Sequence, residues 1–501
     1  MYSRLKRKIT ITVFVLLGLL SVLCTQKPEP EPEEIILARV GTKTISLNEF
    51  IRRAEYTVRP KYCMGDGNIQ KKIILNSLIA EKMLALETGD NNELNQNERY
   101  QRYIQGRKEQ AMRQWLFSKE GVEKVKLDST DIKAVYRIAG RKYKLQFLNV
   151  DSDSIASAIK QKLQKEGEPF EEVYREFTGL DSIPQREVEY NSQQAEVIRM
   201  ALFSKKRKVD EVIGPLKIED DYNIFIKIKG WTDRIAVTEI DIKQRWNDVS
   251  ERLSEQKSLQ IYQNYIAKVM KGKKIDFAKN TFHKVVNLIA PLYFQTAKPG
   301  KELFLNRAFN KELDNLEIAD FKKGIEGLRD ATFFQVDGKV WTVRDFENEL
   351  NKHPLVFRKK RFTSNEFGKQ FKLAVVDLVR DRYLTEEAYK RGYDKVNVIK
   401  RNVEMWQDAS LALYQKSEYL KSIISYKENG MNTITKYLNP YINSLQEKYN
   451  DEIEVNVDEF NKIQLTRIDM FALQENVPFP IMVPAFPQVT TDHKLNYGRK
   501  M

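Results

Sequence analysis

At 501 residues the chain is too long for one hydrophobic core, and its length indicates about three domains. Hydrophobic residues make up 42% of the chain and charged residues 31%, a composition that excludes a disordered polymer. The net charge of +14 is spread over 84 basic and 70 acidic residues, which indicates a mixed surface, and no nucleic-acid partner is expected.

The N-terminus has the pattern of an export signal. Residues 1–8 are rich in Lys and Arg, and Ile9–Leu23 is an uncharged run directly before Cys24. Residues 1–24 are predicted to be a signal sequence, because the run is short for a membrane span. Cys24 resembles the lipidation site of bacterial lipoproteins, with Leu23 where that pattern has a small residue; an uncleaved anchor or ordinary secretion are the alternatives. The resemblance implies a protein on the periplasmic side of the envelope, lipid-anchored to a membrane.

Residues 25–34 form a spacer in which Pro and Glu alternate, a composition that favours an extended chain. Cys63 is the second of two cysteines. A lipidated Cys24 cannot form a disulfide with it, and no Cys/His spacing indicates a metal site. No cofactor is expected.

The first folded segment, residues 35–136, begins with a predicted hairpin. The hairpin ends at Ser46-x-x-Glu49, a capping box that starts a helix. A second helix is predicted from apolar side chains at helical spacing, which are Leu75, Ile79, Met83 and Leu86. Residues 93–142 are predicted to be mostly charged helix.

Residues 137–232 alternate between strand-like and helix-like stretches. The predicted elements are a strand at Tyr143–Val150, a helix at Ser154–Lys165, helical stretches at Gly167–Phe177 and Ile198–Phe203, and strands at Val212–Leu216 and Tyr222–Ile228. This order predicts a small domain with an antiparallel sheet packed by helices.

Residues 233–290 are predicted to be helical. Thr238-x-x-Asp241 caps a helix that reaches about Lys271. Residues 291–440 then repeat the N-terminal pattern, because 336–346 aligns with 40–50 without a gap and Leu378–Leu384 is similar to Leu78–Leu84. A second module of the same kind is therefore predicted.

Residues 441–501 form a tail. A helix is predicted first, followed by a strand that contains Ile453, Val455 and Val457. The run Val477–Pro487 is apolar and broken by Pro, which excludes a central strand. It is interpreted as an extended strap over a neighbouring surface; the alternative is a peptide-like segment that fills the chain's own binding groove or docks a partner.

Two parts of the chain resemble bacterial envelope folding factors. Residues 137–232 resemble a parvulin, the prolyl-isomerase domain of these factors, in their order of strands and helices and in the Gly167-x-x-Phe170 and Gly214-Pro215 turns. The segments at 40–50 and 78–84 resemble the N-terminal chaperone domain of the SurA and PrsA type. The resemblance implies an α+β fold of mainly helical chaperone modules with one inserted parvulin-like domain. It also implies that residues 233–290 complete the N-terminal module.

The resemblance also implies a function. The two histidine positions of the parvulin family fall on Phe147 and Asn223, and neither side chain can titrate as histidine does. A chaperone for unfolded or nascent envelope polypeptides is therefore implied, with isomerase activity weak or lost and no catalytic residue assigned. The implied peptide-binding residues are Phe147, Ile198, Phe203, Tyr222 and Asn223.

Three alternatives stay open at the level of sequence. One is an active parvulin-type isomerase, in which the twisted bond is supported by Tyr143, Asp221, Tyr222 or Asn223. Another is a structural or assembly lipoprotein subunit with one fixed partner. The third is an unrelated small α+β domain with similar spacing. Binding to many unfolded polypeptides separates a chaperone from a fixed subunit.

Overall fold

The structure, a computed structural model, describes residues 34–219, 222–295, 324–359, 362–423, 430–465 and 483–501. It is a mixed α+β fold, mostly helical with small antiparallel sheets. The chain forms two compact units. The terminal unit holds the described residues of 34–90 and 408–501, and the central unit holds those of 91–407. Within these ranges no helix has the length and apolar character that a membrane span requires.

The described strands, in chain order, are β1 (Ile36–Val40), β2 (Lys43–Ser46), β3 (Arg141–Val150), β4 (Gln185–Val188), β5 (Val212–Glu219), β6 (Tyr222–Asp233), β7 (Ile275–Phe277), β8 (Thr332–Val336), β9 (Lys339–Thr342), β10 (Ile453–Val455) and β11 (Arg499–Lys500). The described α-helices of six or more residues are α1 (Leu47–Glu55), α2 (Asn68–Thr88), α3 (Glu98–Glu120), α4 (Ser129–Ala139), α5 (Asp153–Gln161), α6 (Phe170–Thr178), α7 (Glu196–Phe203), α8 (Glu239–Val269), α9 (Lys279–Gln295), α10 (Val343–Leu350), α11 (Phe367–Lys390), α12 (Asn397–Ile423), α13 (Asn439–Lys448) and α14 (Val457–Lys462).

The terminal unit is built around the first hairpin, in a sheet with the strand order β11-β10-β1-β2. Helix α1 begins where the sequence predicts, because the Ser46 hydroxyl accepts a hydrogen bond from the Glu49 N–H at 3.1 Å. The core draws on both ends of the chain and includes Leu37, Ile45, Phe50, Leu78, Met83, Ile442, Ile453 and Phe460.

The C-terminal segments, rather than α8, complete the N-terminal module. Residues 91–136 and 233–290 both belong to the central unit, where Leu116 of α3 packs with Tyr262 of α8. The physical reason lies in the hairpin, which leaves one edge of β1 unpaired. Strand β10 satisfies the backbone groups of that edge, and a helix cannot do so.

The central unit contains an antiparallel sheet with the strand order β4-β3-β6-β5. One face packs against α4, α7 and α8, and the other against α5 and α6. The predicted helix at Ser154–Lys165 is α5 as far as Gln161 and then a π-helical turn. Helix α8 begins at the predicted capping box, in which Thr238 and Asp241 bond to each other's backbone N–H groups. Gly214 lets β5 approach β6 closely, since a Cβ there would lie 2.7 Å from the Phe225 ring.

The internal repeat read from the sequence is present in the structure. Strands β8 and β9 pair as β1 and β2 do, and the strands have the same lengths. Both hairpins have a register shift after the first residue of their first strand, Ile36 in β1 and Thr332 in β8. Thr342 caps α10 in the position that Ser46 has at α1. Helices α10 and α11 then follow as α1 and α2 do.

Each hairpin takes its third strand from a distant part of the chain. Strand β10 pairs antiparallel with β1, and β7 pairs antiparallel with β8 at the equivalent positions. The next residue closes the same hydrogen bond in both sheets: the Asn456 N–H donates to Leu37 O at 2.8 Å, and the Ala278 N–H donates to Phe333 O at 3.0 Å. The two halves of the repeat have therefore exchanged their third strands.

The tail differs in part from its prediction. Strand β10 ends at Val455, and Val457 begins α14, because the Asn456 side chain accepts a hydrogen bond from the Glu459 N–H and caps a helix there. The part of the run Val477–Pro487 that is described, from Val483, has no regular structure, and Phe486 is buried in the core of the terminal unit. Residues 1–33, which include the predicted signal sequence, Cys24 and all of the predicted spacer except Glu34, lie outside the described residues, and so do residues 466–482.

Candidate functional site

One end of the four-stranded sheet keeps a row of partly accessible apolar side chains. Phe147 on β3, Ile226 on β6 and Ile213 on β5 lie directly opposite one another, and Leu216 lies beside them on β5. Phe147, Ile213 and Leu216 are half-buried, and Ile198 of α7 packs against the same cluster. We call Phe147, Ile198, Ile213 and Leu216 the sheet strip. Its chemistry suits an apolar side chain of a bound peptide.

The structure brings together some of the predicted peptide-binding residues. Phe147 and Ile198 both belong to the sheet strip. Phe203 is on the same face, but its ring is 2% exposed and packs edge-on against Tyr143 and Tyr190 at 5.3 Å. Phe203 is therefore part of the core on this face of the sheet, and its ring is not accessible to a ligand. Tyr222 is half-buried at the start of β6, and Cys24 lies outside the described residues.

Asn223 lies on the other face of the sheet. It sits opposite Val150, and residues opposite each other in a ladder share a face. Its amide donates a hydrogen bond to Asp153 Oδ1 at 2.8 Å. The hydrogen bonds from Asn223 and Lys217 lower the pKa of Asp153 below its ordinary value. Phe147 and Asn223, the positions that the resemblance matched to the histidines of parvulins, therefore do not converge on one pocket.

A polar side chain that shares a face with Phe147 is Asn149. It lies two residues further along β3, opposite Ile224, and is exposed. Sequence reasoning missed it because the family pattern drew attention to the position on β6. The alternation of side chains along a strand was the signal that would have found it.

A second apolar surface follows the last strand of the sheet. Ile235, Val237 and Ile240 are 82%, 79% and 80% exposed, and Ile242 is exposed as well. We call these four residues the 235–242 patch. Single exposed apolar residues are ordinary, but four within eight positions are a local concentration of apolar side chains, which favours contact with another chain.

The patch is held in place at its base. The Arg234 N–H donates to Gly140 O at 2.8 Å, and the Arg245 guanidinium donates to Arg234 O at 2.6 Å. The Arg245 guanidinium also lies over the ring of Tyr136, 5.5 Å from its centre. At the other end, Thr238 caps α8. Hydrogen bonds thus hold the backbone at Arg234 and at Thr238, and this anchoring lowers the entropy lost when a partner binds.

A buried polar cluster joins α3, α10 and α11. His353 Nε2 lies 2.6 Å from Glu109 Oε2 and 3.8 Å from Glu349 Oε1, while the Arg113 guanidinium lies 3.4 Å from His353 Nδ1. Arg113 also donates to Thr385 at 2.7 Å. Burial, together with the charge of Arg113, lowers the pKa of His353, although Glu109 acts in the opposite direction.

This cluster has the residue types of a metal site but the wrong surroundings. Glu109, Glu349 and His353 place one ligand atom each within 4.8 Å of one another. Arg113 can only donate, so His353 Nδ1 is assigned as an acceptor, and the N–H at Nε2 donates a hydrogen bond to Glu109. A metal at Nε2 would require Nδ1 to donate to an acceptor instead. The residues do not fit a metal ion, and the cluster is a structural network that ties three helices together.

Comparisons were made with protein-family models, with curated proteins and with solved structures. None of them matches this chain.

Proposed function

We propose that the chain is a protein-folding chaperone of the cell envelope that binds unfolded or extended polypeptide. The observation that carries this proposal is the 235–242 patch, in which three apolar side chains are about four-fifths exposed. Unfolded chains expose apolar segments that would otherwise aggregate, and an accessible apolar surface binds such segments. The sheet strip, in the same unit, offers a further apolar surface of this kind.

The four-stranded sheet domain is proposed to be parvulin-like in fold and to have weak or no isomerase activity. Rotation about a peptide bond crosses a barrier of about 18–20 kcal/mol, and a catalyst needs polar groups aimed at that bond. Phe147 offers no hydrogen bond, and Asn223 faces α5 on the far side of the sheet. Binding of an apolar peptide segment, in contrast, requires only the apolar side chains of the sheet strip.

The proposal includes attachment to a membrane through Cys24, on the periplasmic side. The spacer at residues 25–34 would then hold the folded units away from the lipid surface. The partners are unfolded or nascent envelope polypeptides, and the net charge of +14 favours encounters with acidic ones.

The test removes the patch from the full chain. We expect the triple variant Ile235→Ser, Val237→Ser, Ile240→Ser to bind a permanently unfolded protein, reduced and carboxymethylated α-lactalbumin, roughly tenfold more weakly than the unchanged chain. Binding is measured by fluorescence anisotropy of the labelled client. The folded state should persist, because these side chains contribute little to the core.

The matched control removes three scattered exposed apolar side chains, Val58, Val356 and Leu413, in the same way. We expect this variant to bind as the unchanged chain does. Equal losses in both triple variants would mean that general surface hydrophobicity accounts for binding, and no loss in the patch variant would exclude the patch as the client surface.

A further inference from the structure

The exchanged third strands make two sheet edges directly comparable. In the terminal unit the outer edge of β10 is covered by β11, which pairs with it in parallel. The equivalent edge in the central unit belongs to β7. In the part of the chain that the structure describes, no strand lies beyond β7. The same structural position is therefore filled by an added strand in one unit and open in the other.

The backbone groups on the edge of β7 are those that an added strand would use. The Ala278 N–H bonds to Phe333 O, and bonded and non-bonded pairs alternate along an antiparallel ladder. Asp276 therefore bonds to β8, while the N–H and C=O groups of Ile275 and Phe277 point away from it. Val455 in β10 is the counterpart of Phe277 in β7. Its C=O accepts a hydrogen bond from the Met501 N–H at 3.1 Å, next to β11, so this outward-pointing group is used in the terminal unit.

The charges beside the two edges are reversed. Asp451 and Glu452 precede β10, and the strand that covers this edge, β11, carries Arg499 and Lys500. The Arg499 guanidinium lies 3.9 Å from Asp451. Lys273 and Lys274 occupy the positions before β7 that match Asp451 and Glu452. A basic strand covers the acidic edge, so the basic edge suits an acidic strand.

More positive charge surrounds β7. Lys271 and Lys279 are exposed on either side of it, and the Lys372 ammonium lies 5.4 Å from the centre of the Phe277 ring. Two of the nearby lysines have acidic partners: Lys273 contacts Asp337 at 2.7 Å and Lys274 contacts Asp276 at 2.9 Å. The net charge of the side chains around β7 is therefore positive, and Lys271, Lys274 and Lys279 are exposed to solvent.

We propose that the edge of β7 binds an extended, acidic segment of another polypeptide as an added parallel β-strand. The inference rests on the proposed function and deepens it, since it names the backbone conformation and the charge of one class of client segment. Main-chain hydrogen bonds would supply the affinity and the lysines the selectivity. A strand of three residues offers few such bonds, so the binding is expected to be weak and reversible.

The test is residue-resolved amide hydrogen exchange on the full chain. The probes are two eight-residue peptides, one of alternating Val and Glu and one of alternating Val and Lys. We expect the Val–Glu peptide to slow exchange at Ile275 and Phe277 on the order of tenfold, and the Val–Lys peptide to leave it unchanged. The Asp276 amide, already bonded to β8, is the internal reference.

The charge is tested with the double variant Lys271→Glu, Lys274→Glu, two exposed side chains. We expect it to lose the response to the Val–Glu peptide and to gain one to the Val–Lys peptide. Three results would overturn the inference: no slowing at Ile275 and Phe277, equal slowing by both peptides, or slow exchange at these amides before any peptide is added, which would mean that a segment of this chain covers the edge.

The binding of carboxymethylated α-lactalbumin is measured on the same preparations. If that client binds while the amides of Ile275 and Phe277 do not respond to peptide, the edge inference fails and the proposed function stands. If the amides respond and the unfolded client does not bind, the proposed function fails and the edge remains a peptide site.

Discussion

Replacement of Arg53 by Met is expected to destabilise the terminal unit by about 4 kcal/mol. The Arg53 side chain is fully buried and donates two hydrogen bonds to the Glu81 carboxylate at 2.8 and 2.7 Å, and a third to Ala485 O at 2.8 Å. Met fills much of the volume but leaves the buried Glu81 without its bidentate partner. The Glu81 carboxylate is buried, so the free energy of its desolvation would no longer be offset by the charged hydrogen bonds.

The rest of this network would not compensate for the loss. Lys82 is also buried and contacts Glu49 at 2.8 Å and Asp408 at 3.0 Å. Burial by itself would lower the pKa of Lys82, but Glu49 and Asp408 raise it above its ordinary value, so the amine stays charged. Its ammonium donates its hydrogen bonds to these two carboxylates and acts on Glu81 only through the Coulomb interaction, which cannot replace the bidentate hydrogen bonds.

The unfolding of the terminal unit has a convenient probe in Cys63, which is fully buried in its core. In a Cys24→Ser background, thiol labelling of Cys63 during a urea titration reports when this core opens. The control is Lys462→Met, which removes an exposed ion pair with Glu459 and should leave the midpoint unchanged. Equal midpoints for Arg53→Met and the control would contradict the structural role given to the buried pair.

The substitution Gly106→Ala is expected to destabilise the central unit by about 3 kcal/mol, although Ala is the better helix former. Gly106 lies within α3, where the backbone of Lys352 crosses the helix. A Cβ at this position would lie 1.9 Å from Lys352 O, so the two backbones would have to separate. The segment that would move leads into His353, and the Glu109–His353 hydrogen bond would lengthen with it.

Tryptophan fluorescence measures this effect, since all five tryptophans, at positions 115, 231, 246, 341 and 406, belong to the central unit. The matched control is Gly368→Ala near the start of α11, where a Cβ would meet Val286 at an ordinary 3.8 Å. This control should be neutral or slightly stabilising, by about 0.5–1 kcal/mol. A Gly106→Ala variant as stable as Gly368→Ala would show that α3 does not approach Lys352 so closely.

Local signals in the sequence predicted local structure well. Ser46, Thr238 and Thr342 each cap the helix that the spacing of the next acidic residue indicates. The repeat was visible because a hairpin followed by a capped helix leaves a pattern of several residues that can be matched without a gap. Three strands of the central sheet, β3, β5 and β6, were predicted from runs of apolar and β-branched residues. The fourth strand, β4, was not predicted, because three of its four residues are exposed and it has no apolar run.

Non-local features had no such signal. Strand β7 is three residues long, too short to show an alternation, and it was not predicted. Strand β10 was predicted from its alternating apolar residues, but nothing in the sequence indicated that it would pair with the first hairpin. The position of Asn223 depended on register, and a shift of one residue moves a side chain to the opposite face. The 235–242 patch was missed because Ile242 fits the apolar spacing of a helix, and periodicity alone does not say whether a helix face is covered.

The most direct test of the proposed function compares one client in two states. The full chain, carrying Cys24→Ser, is titrated into labelled α-lactalbumin that is either native or reduced and carboxymethylated, two states of nearly the same composition. We expect binding to the unfolded state and no detectable binding to the native state, since only the unfolded state exposes extended apolar segments. Equal binding to both states, or binding to neither, would contradict the proposal that this chain is a chaperone for unfolded polypeptide.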